Sequence, residues 1–176
     1  QEHLEKLVAA KPLYSSFDVK INTNKKNYEI NSNIVFKVTS DKDGYLTILD
    51  INPGGGICVI FPNKFYKDNL IRAGKNYLVP PPNTFKLKVQ GPSGLERIKA
   101  FVTLSNISLL EMDLDKEVFH CIKKGTTRGI KVIQALSKQV DSIGSSAWSE
   151  AHSEIFIFNE GEKYTRGSRK IKKGRF

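Results

Sequence analysis

Nucleophilic or metal chemistry in this chain would have to draw on His3, His120, His152, Cys58 and Cys121, which are all of its imidazoles and thiols. His120 and Cys121 are sequence neighbours, but adjacent residues on a helix or strand point in different directions and do not make a nucleophile–base pair. Cys121 is therefore expected to be a structural, buried cysteine. Two cysteines form at most one disulfide, too few for a disulfide-built scaffold or a structural zinc site, and they leave both their own pairing and the redox compartment open. Gly54-Gly55-Gly56 has the look of a phosphate loop, yet no Lys-Ser/Thr follows it and the next residues read as a strand, so a hairpin loop is expected. Asp41 and Asp43 alternate as the first ligands of a calcium loop would. An EF-hand needs Gly at the sixth position and Glu at the twelfth, where this chain has Leu46 and Asn52. The reading assigns no catalytic residue, no cofactor and no metal ligand, and the expected protein is not an enzyme.

Two features bear on binding instead. Lys64-Phe65-Tyr66-Lys67 sets aromatics beside basic residues, as a platform for single-stranded nucleic acid would. In a loop linking strands, such rings are expected to fold back onto the edge of the domain. The formal charge is +10, but Lys163, Arg166, Arg169, Lys170, Lys172, Lys173 and Arg175 supply seven positive charges after Glu162 with no acidic residue among them, so removing those seven leaves +3 for the rest. The charge speaks mainly for residues 161–176, read as a disordered basic tail able to meet anionic lipid or nucleic acid through screened Coulomb forces.

The elements that would position these residues follow from hydrophobic periodicity. Leu4, Leu7 and Val8 at helical spacing before Pro12 predict a short helix or arm over 1–14. Residues 15–160 read as one β domain. Phe17, Val19 and Ile21 alternate with polar residues, as do Ile34, Phe36 and Val38. Asp43-Gly44 then predicts a hairpin into Tyr45–Ile51, a run apolar enough to be buried on both faces, and a second hairpin leads to Ile57–Phe61. Pro80, Pro81 and Pro82 end the short run Tyr77–Val79. Phe85, Leu87 and Val89 form one further alternating strand, and Ile98, Ala100, Val102 and Leu104 another, with Lys99 and Thr103 on its opposite face. Asp115 is placed to cap a helix carrying Val118, Cys121 and Ile122, and Ile130 to Ile143 fits a second helix, although its first residues also read as a strand. Ile155 and Ile157, interleaved with Phe156 and Phe158, close the series. Successive strands without intervening helices predict a mainly β fold: an immunoglobulin-like antiparallel β-sandwich with one or two short helices.

Ser40-Asp41-Lys42-Asp43-Gly44-Tyr45-Leu46, Ile60-Phe61-Pro62-Asn63, Asp68-Asn69, Arg72-Ala73-Gly74, Val79-Pro80-Pro81-Pro82 and Gly91-Pro92-Ser93-Gly94-Leu95-Glu96-Arg97 occur in that order. This series resembles an uncharacterised bacterial family, domain-of-unknown-function family 4384, with Ile60 where Leu is commoner and Leu95 where Thr is commoner. Ala147-Trp148-Ser149-Glu150-Ala151 is similar to a segment that often precedes the family's last strand, so the likeness runs from about Phe17 to Phe158. The resemblance implies a compact, mainly β domain, often attached to caspase-like peptidase or protein-kinase domains or found in exported proteins, and it implies no catalytic residue.

In physical terms the glycines and prolines of these motifs set turns and stop strands. Asp41, Asp43, Asp68, Arg72, Glu96 and Arg97 are the candidate loop-pinning or interaction residues, expected to pair among themselves, with a ligand or peptide site as the alternative. The expected function is a non-enzymatic accessory or protein-interaction domain of a bacterial, exported protein. The alternatives are anionic-polymer or nucleic-acid binding through Arg166, Arg169, Lys170, Lys172, Lys173 and Arg175, or regulation of a caspase-like or kinase system. The start at Gln1 without Met and the family resemblance together favour the periplasm or cell surface over the cytoplasm. A protein is the expected partner, and no apolar run is long enough to span a membrane as a helix.

Overall fold

The computed structural model describes residues 9–106, 118–123, 138 and 141–162. Among these, the strands in chain order are β1 (Val19–Thr23), β2 (Asn27–Glu29), β3 (Asn33–Ile34), β4 (Phe36–Ser40), β5 (Gly44–Ile51), β6 (Ile57–Phe61), β7 (Leu70–Ile71), β8 (Tyr77–Val79), β9 (Leu87–Lys88), β10 (Gly94–Thr103), β11 (His120–Ile122) and β12 (Trp148–Phe158). The larger sheet runs β11-β6-β5-β10-β12-β2 with β7 added on β5, the smaller runs β1-β4-β8, and β3 and β9 make a separate two-stranded ribbon. All pairings are antiparallel except β12 with β2.

One core joins the sheets. Alternation in β1 and β4 turns Val19, Ile21, Phe36 and Val38 to one side, where they meet Leu46 and Ile48 from β5, Ile98, Ala100 and Val102 from β10, and Ile155 and Ile157 from β12. Val38, Leu46, Ile48, Ala100, Val102 and Ile157 have no exposed surface. Burying such side chains contributes about 1.5–3 kcal/mol each relative to leaving them exposed, the main favourable term holding the sheets together.

The face of the larger sheet that points away from this core is buried as well. Leu49, Ile57, Val59, Phe101 and Trp148 are 1–4% exposed, and Lys99 and Thr103 are 2% and 3% exposed. Lys99 and Thr103 were expected opposite the buried face of their strand; here the opposite face is also closed. Alternation identifies one buried face and does not detect a covering layer supplied by distant chain. At Lys99 that layer includes the segment before β1, whose Ala10 carbonyl accepts the ammonium's hydrogen bond.

Three expectations need correction. Asp43-Gly44 does not make a hairpin: β4 pairs with β1 and β8, whereas β5 pairs with β6, β7 and β10, so the turn carries the chain from one sheet to the other. Gly44 is there for space rather than for positive φ, because a Cβ would sit 2.6 Å from Val102 Cγ1 and 2.8 Å from the Thr103 carbonyl oxygen. Cys121 and Ile122 lie on strand β11 rather than on a helix, since pairing with β6 satisfies their backbone. The last strand starts at Trp148, well before Ile155, and runs along the length of β10.

The β5–β6 hairpin, the double burial of β5, and the end of β8 before Pro80 are as expected. Helical backbone among the described residues is limited to Ala9, Lys138, Asp141 and Ser142 and the one-turn 3₁₀ stretch Ser145–Ala147. Leu4, Leu7 and Val8, most of the run from Ile130 to Ile143, and the basic residues after Glu162 lie outside the described residues. No helix among the described residues is long and apolar enough to cross a membrane.

Candidate functional site

Two carboxylic acids meet where the sheet's inner face runs past the smaller sheet. In β5, the alternation that turns Leu46 and Ile48 inward also turns Asp50 inward. In β10, the same rule places Glu96 on the side of Ile98 and Ala100. The register sets Asp50 opposite Ile98 and Glu96 opposite Ile155, so the two acids are diagonal neighbours on one face and their carboxyl groups share a hydrogen bond.

Burial and mutual repulsion hold a proton on this pair. Desolvation, then the hydrogen bond and charge of Asp50, push Glu96 up to about 10. Desolvation also raises Asp50, opposed by the hydrogen bond from Glu96. Glu96 is therefore protonated at neutral pH and donates to Asp50. Even so, Asp50 Oδ1 and Glu96 Oε2 are out of contact with solvent and have no hydrogen-bond partner, although buried polar atoms ordinarily find one.

Both acids line a cleft of about 500 Å³, within the usual size range of small-molecule pockets. Its apolar walls come from the core side of β6 and β10, from Ile34 and Leu87 of the β3–β9 ribbon, and from Phe65 and Phe119. The 63–66 loop is tied down by Asn63, whose Nδ2 donates to the Ile60 carbonyl at 2.8 Å and whose Oδ1 accepts from the backbone N–H of Phe65 at 2.9 Å. Phe65 then packs on Phe85 at 5.2 Å between centroids and Tyr66 on Phe61 at 5.9 Å, so each ring leans on the domain while Phe65 stays 57% and Tyr66 38% exposed. On the opposite side, Cys58 and Cys121 form a disulfide between directly paired residues of β6 and β11, bracing the segment that carries Val118 and Phe119.

The other candidate residues do different work. The Ala73 backbone N–H donates to one Asp43 oxygen at 2.7 Å and Arg72 reaches the other at 2.7 Å, and these contacts in that order hold the Asp43 carboxyl below its usual range. Asp41 Oδ2 accepts from the Asp18 N–H at 3.3 Å, and Asp68 Oδ1 from the Leu70 N–H at 3.1 Å. Arg97 does not meet Glu96, which points to the other face; it pairs across strands with Glu154 at 3.3 Å. Six motif charges thus separate into three turn or loop contacts, one cross-strand surface pair and one buried acid.

A second buried charge lies on the far face of the sheet. Lys99 Nζ is 3.6 Å from Glu150 Oε2 and 5.2 Å from the Phe101 ring centre, and desolvation lowers its pKa against the pull of Glu150. His152 Nδ1 is 3.8 Å from the same Glu150 oxygen, and its side chain is largely exposed. These residues join the N-terminal arm to β10 and β12.

The pattern of the family described as Domain of unknown function (DUF4384) matches residues 27–106. Residues 27–106 therefore support the assignment to that family suggested by the sequence motifs. The DUF4384 segment spans β2 to β10 and contains both acids, the Asp43–Arg72 turn and most of the cleft wall. It is shorter than the likeness seen in the sequence, leaving out β1, Cys121 and the Trp148 segment. No curated protein and no solved structure matches the chain. Asp50 was missed by the sequence reading. The available signal was an acid at an inward position of a strand otherwise apolar on both faces.

Proposed function

We propose that the chain is a non-enzymatic interaction domain of an exported bacterial protein, and that it holds a partner segment or ligand in the cleft above Asp50 and Glu96. The cleft is the observation that carries this reading. It is concave, apolar-walled and of ligand size, with a few convergent polar groups at its floor. Both cysteines are consumed by their disulfide, which removes the thiolate that nucleophilic chemistry would need. The same disulfide supports export, because such bonds persist in oxidising compartments. Unequal, mostly antiparallel sheets around one core support the immunoglobulin-like arrangement as part of this proposal.

One observation favours an enzymatic alternative: paired carboxyl groups sharing a proton are what general acid–base chemistry uses. Two measurements on the intact chain separate the readings. A random peptide library is panned against the native protein and against Val118→Trp, which fills the exposed rim of the cleft, and both proteins are assayed on ester, peptide, glycan and phosphate substrates. Enriched peptides that bind the variant at least tenfold more weakly, without turnover, support the proposal. Turnover lost in Asp50→Asn would establish the enzyme instead, and peptides indifferent to Val118→Trp would remove the cleft from the account.

A further inference from the structure

The cleft also carries information about what enters it. We infer that its occupant presents a cationic head, an ammonium or guanidinium on an apolar stem such as a lysine or arginine side chain of a partner, to the Asp50–Glu96 carboxyl pair. This rests on the cleft being the binding site.

Three observations converge on the head group. Asp50 Oδ1 and Glu96 Oε2 are both acceptors without a donor, on acids that line the same cavity. The walls around them offer mainly hydrocarbon and aromatic surface, suited to a stem rather than to a second polar group. The remaining ionisable side chains lining the cleft are Lys86 and Lys88 of the ribbon, both exposed and neither within hydrogen-bond reach of the two orphaned oxygens. A carboxyl pair in an apolar site without a cation favours one supplied from outside, because a paired buried charge is far less unfavourable than an unpaired one. An entering cation would take the place of the proton that now offsets the repulsion between the acids, so the proton is released to solvent as the ammonium binds.

Three isosteric probes test this by calorimetry on the intact chain: phenylbutylamine, phenylbutanol and phenylbutanoate. The amine is expected to bind at least tenfold tighter than the alcohol near neutral pH and the acid most weakly. Amine affinity should rise with pH by up to about tenfold per unit until Glu96 itself loses its proton near 10, while the alcohol's stays flat over that range. Heats measured in buffers of different ionisation enthalpy should show proton release with the amine alone. The double variant Asp50→Asn with Glu96→Gln keeps the shape and should bind amine and alcohol equally. Equal binding of amine and alcohol by the native protein at every pH would overturn the cationic head while leaving the cleft as a site. Failure of all three probes on folded protein would overturn the inference together with the cleft.

Discussion

Asp50 lies directly opposite Cys58 on the neighbouring strand, and Cys58 lies directly opposite Cys121 on the next, so the disulfide and the half-buried Asp50 occupy one row of the sheet. The bond joins the edge strand β11 to the strand that flanks the acid. The wall carrying Phe119 is thereby held over the cleft floor.

Replacing both cysteines by serine is expected to lower stability by roughly 4 kcal/mol, from the lost constraint on a long loop in the unfolded chain, with the residues 63 positions apart. Urea denaturation of the variant and of the reduced native protein should agree. A change under about 1 kcal/mol would mean that β11 is held by packing alone.

Stability should fall as the solution becomes alkaline. Glu96 is raised from 4.5 to about 10, so the folded state binds its proton more tightly than the unfolded chain does. The resulting stability is fully present below the unfolded value and is lost as pH rises through the folded one, at up to about 1.4 kcal/mol per pH unit. Glu96→Gln, which cannot ionise, should flatten that decline in urea midpoints taken from acid to alkaline pH. Parallel curves for the two proteins would contradict burial of this acid.

Gly44→Ala should destabilise by about 1–3 kcal/mol, because the new methyl would press on a backbone carbonyl as well as on Val102. Were Gly44 only a turn residue in a hairpin, alanine there would change little. Thermal denaturation distinguishes the two.

What was legible in the sequence divides along physical lines. Apolar runs bounded by turn residues revealed β5, β6 and the hairpin between them, because these depend on neighbours in the chain. Pairing partners did not follow, since Asp-Gly has the same local signature whether the next strand folds back or crosses to another sheet. Alternation places Lys99 opposite the buried face of β10 and does not show its burial, because the chain that covers it is remote in sequence. Glu96 stood out through its motif, yet its partner is Asp50, 46 positions earlier, which only the β5–β10 register brings near. Cys58 and Cys121 likewise left their pairing open until β11 was seen beside β6.

Asp43→Ala should lower the melting temperature more than Arg72→Ala does. The aspartate also accepts the Ala73 backbone N–H, whereas the arginine contributes an exposed ion pair of the kind that adds little. Equal effects would mean that the ion pair, not the backbone contact, pins the turn.

The most direct test of the account is a pH titration of the Asp50 and Glu96 side-chain carboxyl carbons by NMR in the intact protein. The account predicts that Glu96 remains protonated through neutral pH and titrates near about 10, and that Asp50 titrates above its ordinary value of 3.8. Ordinary acidic titration of both carboxyl groups would contradict it, leaving the cleft without its buried acid pair.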